Sequence, residues 1–542
     1  MGIRFTLVIV SFGLVFLFIL FNLFELQILK NQNFLAKAES QYFASEKLKA
    51  ARGAIYFTDK DRSHFPLVIN KDFETIYAVP KEIEDSKEAA NLLTGILNIP
   101  APEIERKLSK SKDPYELLLK KAPKEIAKEV KSLKIPGLYV KTEPERFYPF
   151  NSLASQLVGF VGVSGDDRAE AGRYGLEKYY NGLLSGQDGE AKDGKIILPK
   201  SGQDLNLTID PNLQREVQRI LNRLVSNHKA TGGTVIVQDP QTGKILALES
   251  NPGFNPNTYG KFSLETFLNP AIQSIYEPGS VFKVITMAAG IDSGKITPET
   301  TYVDTGLLRV SGKEIRNWDL KTYGKVTMTN VLEKSINTGA AFAERQIGHG
   351  LFKDYLEGFG FGDKTGLDFP GELGGYLRRL GLKSPEIAFA TASFGQGVAV
   401  TPIEMINAFS AIANGGELMR PLLTSEVEPK AIRRVISREA ARLTSEMMMS
   451  ALDKAEIGKI NSYQLAGKTG TAQVPDFKKG GYTDKVINTY IGFGPLSNPR
   501  FTILIKLNEP EGAPLAGTTV VPAFRDLAQF ILNYYNIPPD RL

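Results

Sequence analysis

The chain has 542 residues, 42% hydrophobic and 23% charged, the balance of a folded protein with room for two or three domains. A net charge of +5 is small for this length, enough for mild attraction to an anionic membrane or wall but not for a nucleic-acid footprint. The chain has no cysteine, which excludes cysteine nucleophiles, disulfides and cysteine-ligated zinc, and its histidines (His64, His228 and His349) lack metal-ligand spacing and a Gly-x-Ser-x-Gly elbow to serve.

In chain order, the first element is an apolar run. Phe5 to Phe24 carries no charge and is dominated by Val, Leu, Ile and Phe. Twenty helical residues span about 30 Å, the hydrocarbon thickness of a bilayer, so the run reads as a membrane anchor. It is longer than a signal-peptide core and ends well before Ala36-Lys-Ala38, the segment that resembles a cleavage site. Arg4 and the amino terminus on one side and Lys30 and Lys37 on the other leave orientation unset by charge. With no second run of this kind, the bulk of the chain is expected on one face of the membrane.

Leu29 to Lys49 reads as a helix leaving the bilayer. Residues 52–205 mix strand-like runs such as Phe73 to Val79 with Lys/Glu-rich helical stretches around 85–135. They hold neither a catalytic pair nor a metal cluster, so a spacer or interaction domain is expected there. Gly182 to Gly202, rich in Gly, Lys and Asp, reads as a hairpin or linker.

From residue 205 the pattern changes. Leu205 to Ile209 is a strand, and Asp210 caps a helix with Pro211 at its first position. Gly233 to Gln238 and Lys244 to Glu249 form a hairpin around the turn Asp239–Gly243. Thr489 to Gly494 and Arg500 to Lys506 form a second, and a final helix is expected at about 522–536. Strands at both ends with helices between them predict an α+β fold, one antiparallel sheet with a helical subdomain.

Three short strings in this region carry chemistry: Ser280-Val-Phe-Lys283, Ser335-Ile-Asn337 and Lys468-Thr-Gly470. A serine with a lysine one helical turn later places both side chains on one face. The serine hydroxyl needs a base to become a nucleophile, and lysine serves only where desolvation and nearby cations lower its pKa. Ser280 follows Glu277-Pro278-Gly279 and opens an apolar helix whose first amides can support developing negative charge. Lys468-Thr-Gly470 lies among small residues, where glycine is expected to let a substrate backbone approach a strand edge. Two further copies lack such context. Ser109-Lys-Ser-Lys112 sits in a lysine-rich stretch that reads as a solvated helix, and Lys364-Thr-Gly366 sits in a glycine turn.

In this order the three strings resemble those of the penicilloyl serine transferases. The resemblance narrows to class B penicillin-binding proteins through Arg52-Gly-Ala-Ile-Tyr56, Arg146-Phe-Tyr-Pro149, Gly175-Leu-Glu177, Leu207-Thr-Ile-Asp210, Pro252-Gly-Phe-Asn-Pro-Asn257, Gly366-Leu-Asp-Phe-Pro-Gly-Glu372 and Ser393-Phe-Gly-Gln-Gly397. It is nearest the septal, cell-division branch and covers almost the whole chain. One departure stands out: the turn after Arg-Gly-x-Ile is stretched into Phe57 to His64, which puts the local contacts there in question.

The resemblance implies a membrane anchor over 1–30, an elongated mixed pedestal or dimerisation-like domain over 31–204 and a penicillin-binding, serine β-lactamase-like transpeptidase domain over 205–542. It implies D,D-transpeptidation: Ser280 attacks the bond between the terminal D-alanines of a stem peptide, and an acceptor amine resolves the acyl-enzyme. By the same resemblance Lys283 is the general base, Ser335 relays a proton, and Lys468 lowers neighbouring pKa values. Asn337 holds the acyl-side amide, Thr469, Gly470 and Thr471 form the carboxylate subsite, and the N–H groups of Ser280 and Thr471 form the oxyanion hole. No cofactor or metal is needed. The implied partners are the stem peptides and their lipid-linked precursor polymer, β-lactams as covalent inhibitors, a polytopic glycosyltransferase of the shape, elongation, division and sporulation type, and other divisome membrane proteins, with no nucleic acid. The implied location is the plasma (inner) membrane, single-pass, with an extracytoplasmic, periplasmic catalytic domain.

The rival readings are an elongation-branch enzyme, a D,D-carboxypeptidase, a β-lactam sensor, a β-lactamase and a catalytically vestigial divisome scaffold. A deacylating β-lactamase needs Glu-x-x-Leu-Asn after the middle motif, whereas Glu265-Thr-Phe-Leu-Asn269 precedes Ser280.

Overall fold

The computed structural model describes Gly2 and residues 15–19, 49–110, 113–164, 169–192, 195–381, 383–476 and 479–541. Of the expected anchor only residues 15–19 are described, as exposed helix; the helical extension over 29–48 and Ala36–Ala38 lie outside the described residues. Among the described residues no helix is long and apolar enough to cross a membrane.

The chain divides into two compact units, residues up to Ala54 with Gly182–Asp204, and Ile55–Asn181 with Leu205–Leu542. In the first, Gly182–Gly202 opens with the end of a short helix (Asn181–Ser185) and continues as a hairpin: Glu190–Lys192 pairs with Lys195–Ile197, and Gln187 bridges Lys200 further out. Gly53 N–H donates to Leu184 O at 2.8 Å and Gly202 N–H to Ala51 O at 2.8 Å. An added Cβ at Gly53 or Gly202 would strike the carbonyl of Gln203 or Leu184, so both glycines are needed for the close approach.

The second unit begins with β1 (Ile55–Thr58) and β2 (His64–Ala78), an antiparallel pair. The stretched segment between them closes as a tight turn in which Asp59 Oδ1 accepts from Asp61 N–H (2.9 Å) and Ser63 N–H (2.8 Å). β2 then pairs with β3 (Glu116–Ala122) and β4 (Leu138–Phe147), while β1 runs parallel to β5 (Leu205–Asn206). The helices α1 (Ser86–Leu97), α2 (Ala101–Leu108) and α3 (Lys124–Ser132) bury Leu93, Ile104 and Val130 against Ile76 and Ala78 of the sheet. Asp85 starts α1 by accepting from the N–H groups of Lys87 and Glu88.

As expected, Asp210 caps α4 (Pro211–Asn227), accepting from Asn212 and Leu213 N–H. The second sheet has the order β7-β6-β10-β9-β8, antiparallel throughout, with β6 (Gly232–Gln238), β7 (Ile245–Asn251), β8 (Ala466–Pro475), β9 (Tyr482–Gly494) and β10 (Phe501–Asn508). Both expected hairpins are present. One face is covered by α4 and a C-terminal helix, where Leu213, Val217 and Leu221 meet Val235, Ile503, Phe524 and Leu527. Each such side chain, fully buried, contributes about 1.5–3 kcal/mol. That last helix starts at Ala516 rather than 522 and runs to Tyr534 with Pro522 inside it, because Val520 and Val521 bury the extra turn. The other face packs against the entirely buried helix Pro402–Ala413 and, through it, a helical subdomain.

Candidate active site

The nucleophile turn forms because Gly279 takes φ +61° after Pro278, opening a 3-10 turn over Gly279–Phe282 that continues into α5 (Lys283–Asp292). Every residue from Val281 to Gly290 is buried, which fixes this helix in the core while Ser280 stays half-buried at its mouth. The Ser393–Gly397 segment braces the turn: Gly279 N–H donates to Gly395 O (3.1 Å) and Thr286 Oγ1 to Ser393 O (2.7 Å). Gly395 has φ +80°, and an added Cβ there would collide with the Gly279 backbone. Glu277 ties the turn from the other side, accepting from Gly397 N–H (3.0 Å) and Tyr482 OH (2.9 Å).

Four groups of the three strings converge. Lys283 Nζ lies 2.8 Å from Ser280 Oγ, 3.0 Å from Ser335 Oγ and 2.7 Å from Ser335 O. Lys468 Nζ lies 3.2 Å from the same Ser335 hydroxyl, so Ser335 bridges the two lysines. Ser335 has φ +57°, a left-handed conformation that costs a serine on the order of 1 kcal/mol. It follows α6 (Met328–Glu333), whose Glu333 is pinned by Lys454 (2.6 Å) and Ser450 (2.6 Å).

Both lysines are buried, and neither makes a carboxylate ion pair among the described residues. Burial, then the charge of Lys468, holds Lys283 well below the usual lysine range, and burial lowers Lys468 to about 8. A neutral amine 2.8 Å from a serine hydroxyl can take its proton, and a hydroxyl between two amines can pass one on.

Asn337 opens α7 (Asn337–Ile347), and its amide donates to Arg316 O at 2.9 Å. Its own N–H donates to Asn317 Oδ1 (3.1 Å), and Asn317 Nδ2 donates to Asp304 Oδ2 (3.0 Å). Asp304 also accepts from Thr338 Oγ1 (2.6 Å). Burial pushes the Asp304 carboxyl up, but these bonds, with the N–H groups of Tyr323 and Gly306, hold it below the usual range. Asp304 and Asn317 escape sequence reading because they lie on short, irregular hairpins and follow no motif spacing.

β8 is one of the two edge strands of its sheet. Thr469 Oγ1 is 3.4 Å from Lys468 Nζ, whereas Thr471 Oγ1 accepts from Ala516 N–H (3.1 Å). The room that Gly470 leaves is filled by the protein itself: an added Cβ would lie 2.8 Å from Pro278 O and 3.1 Å from Val281 Cγ1. The glycine thus lets β8 meet the nucleophile turn, and the open strand edge is what remains for a substrate. The other strings stand apart. Ser109 ends α2, and Lys112 lies outside the described residues. Lys364–Gly366 is loop whose Gly366 O accepts from Arg420, and Glu265 is exposed. His64 bonds Thr58, His228 ends α4, and His349 pairs with Glu344.

The penicillin-binding protein transpeptidase domain matches residues 233–529, and the penicillin-binding protein dimerisation domain matches residues 47–206. The chain is 31% identical to peptidoglycan D,D-transpeptidase FtsI of Escherichia coli (strain K12), over 99% of this chain and 93% of that protein. It is 30% identical to stage V sporulation protein D of Bacillus subtilis (strain 168), over 98% and 86%. The crystal structure of penicillin binding protein 2X from Streptococcus thermophilus shares the fold, with a TM-score of 0.71 at 23% identity, covering 91% of this chain and 81% of that one. With both domains matched and relatives aligned nearly end to end, the chain belongs to the class B penicillin-binding proteins.

Proposed function

We propose that this protein is a peptidoglycan D,D-transpeptidase that cross-links stem peptides through an acyl-enzyme on Ser280, at the division septum. The observation that carries the reading is the contact of buried Lys283 with both Ser280 Oγ (2.8 Å) and Ser335 Oγ (3.0 Å). Lys283 takes the Ser280 proton as Oγ bonds to the carbonyl carbon of the penultimate D-alanine. The N–H groups of Ser280 and Thr471 hold the resulting oxyanion; losing one such donor costs about 3–4 kcal/mol in the barrier. Ser335, between Lys283 and Lys468, delivers a proton to the departing amine as the C–N bond breaks. The acceptor amine then attacks the ester and returns the proton to Ser280 through the same lysine. Asn337 orients the acyl-side amide, while Thr469 and Thr471 at the strand edge receive the terminal carboxylate and Gly470 between them lets the strand lie against the nucleophile turn.

In this reading residues 1–30 anchor the chain, 31–204 form the pedestal and 205–542 the transpeptidase domain. The anchor places a single-pass protein in the plasma membrane, with its catalytic domain extracytoplasmic. Resemblance supports a polytopic glycosyltransferase and other divisome proteins as partners; co-purification in mild detergent with the anchor intact tests that, and failure to recover the pair counts against it. Septal work rests on the same resemblance, and depletion decides it: filamentous cells support it, and rounded cells transfer the enzyme to elongation.

The chemistry is tested with a fluorescent penicillin on wild type and Ser280→Ala. A long-lived covalent adduct that is absent from the variant is expected. Rapid loss of the adduct would replace the reading with a hydrolase, and no adduct on folded wild type would leave a scaffold.

A further inference from the structure

Beside the strand that carries Lys468 lies a cavity of about 80 Å³. Lys468, Thr469, Tyr490 and Glu333, whose carboxylate is paired with Lys454, form its polar wall, while Leu452 and Val521 line the apolar part. Tyr490 is the cross-strand partner of Thr469, so both side chains project from the same face of the sheet, opposite the one on which Gly470 meets the Pro278–Val281 turn. The Tyr490 ring packs on Phe524 (centroids 4.6 Å apart) and carries its hydroxyl across Gly467, where an added Cβ would collide with it. The residue is only 3% exposed, and its hydroxyl has no hydrogen-bond partner among the described residues. A buried donor left open into a cavity is costly unless something polar reaches it.

We propose that this cavity receives the side chain of the C-terminal D-residue of the donor peptide, the residue that leaves when Ser280 is acylated. This rests on the transpeptidase reading, which puts that residue's carboxylate at Thr469. The side chain stands one bond from the carbon bearing the carboxylate, so a cavity that shares Thr469 and Lys468 as walls is within its reach. The Tyr490 hydroxyl, carried across Gly467, supplies a further donor in the cavity wall. The volume sets the class: it exceeds the space one water needs but falls short of the roughly 150 Å³ that takes up a benzene ring. Small and branched aliphatic D-residues fit; aromatic ones do not.

The test uses thioesters of N-acyl-D-alanine whose leaving groups are thioacids HS–CH(R)–COO⁻ of D-like configuration, with R hydrogen, methyl, isobutyl or benzyl. Ser280 Oγ displaces the thiolate, and released thiol is counted. For wild type, kcat/KM with isobutyl is expected within about tenfold of methyl, and benzyl more than tenfold lower. Ala451→Leu and Ala455→Leu each grow into the cavity from a helix surface. In a variant whose thermal midpoint matches wild type, the isobutyl-to-hydrogen ratio is expected to fall at least tenfold. Tyr490→Phe, which keeps the volume, is expected to raise KM for all four esters with little change in kcat. Wild type that is acylated by penicillin but whose ratio is unmoved in both alanine variants would overturn the pocket alone. No adduct from penicillin or thioester would overturn the transpeptidase reading and the pocket with it.

Discussion

Ser335 is the residue on which the site turns, because its hydroxyl is shared by two buried lysines whose charges oppose each other. Lys468 is one of the causes that depress Lys283, so it acts on the base as well as on an anionic substrate. The acylation rate should rise with pH as Lys283 loses its proton. Replacing Lys468 by Ala removes the neighbouring cation and raises the Lys283 pKa, so the ascending limb is expected to move to higher pH. Stopped-flow acylation by a fluorescent penicillin between pH 5 and 10 reads this directly. A limb that stays in place or moves down would detach Lys468 from the base. The Ser-x-x-Lys pair was legible in sequence because helical spacing alone puts the two on one face. Asp304 and Asn317, which hold the start of α7 and so the backbone of Asn337, were not, since their contact depends on how a hairpin folds back.

At the scale of single elements, β8 and β10 store two different costs. Gly470→Ala pushes a Cβ to 2.8 Å from Pro278 O, so the nucleophile turn must shift. A loss of about 1–3 kcal/mol and slower acylation are expected. Gly366→Ala, in the loop copy of the same string, has φ +80° and is expected to lose on the order of 1 kcal/mol with acylation unchanged. Equal effects on acylation would deny β8 its part in placing Ser280. In β10, Lys506 is buried above the Tyr276 ring (4.9 Å) with Asn508 as its one hydrogen-bond partner among the described residues, and burial lowers it to about 8. The unfolded chain, with an ordinary lysine at 10.5, binds more protons between about pH 8 and 10.5, so folding stability rises with pH over that window by on the order of 3 kcal/mol. Lys506→Met should therefore raise stability at pH 7 and flatten the dependence between pH 8 and 10.5. Urea denaturation at pH 7, 8 and 10.5 checks both, and a variant less stable at pH 7 would show that Lys506 is held by more than Asn508.

Across the whole second unit, polar and aromatic contacts tie the chain together, both within the part before residue 205 and between it and the part that follows. Arg146 Nε meets Glu177 at 2.7 Å with both side chains buried. Ala154 N–H donates to the buried Glu249 (2.9 Å), and Phe160 stacks on Tyr259 (4.2 Å) among Tyr174, Phe254 and Phe267. The chain runs from this aromatic cluster to Tyr276 and then Ser280, so the joint and the nucleophile share one segment. Arg146→Ala removes this cation from beside the buried Glu177 carboxylate and should cost about 3–5 kcal/mol, whereas Arg146→Met with Glu177→Leu should cost much less. Thermal unfolding of the two variants decides it, and equal losses would mean that the ion pair itself supplies the stability and that apolar packing does not replace it.

By itself the sequence determined the elements whose signals are local: the capped helix at Asp210, the two hairpins of the catalytic sheet and the order of the three strings. It did not determine where the last helix begins, because Val520 and Val521 pay the cost of an internal proline only once a sheet lies beneath them. Nor did it show that Gly470 faces the nucleophile turn rather than a substrate, or that a cavity lies behind Thr469. Those features arise between segments far apart in the chain, and only packing brings Lys468 within reach of Ser335 and so decides which lysine can be neutral.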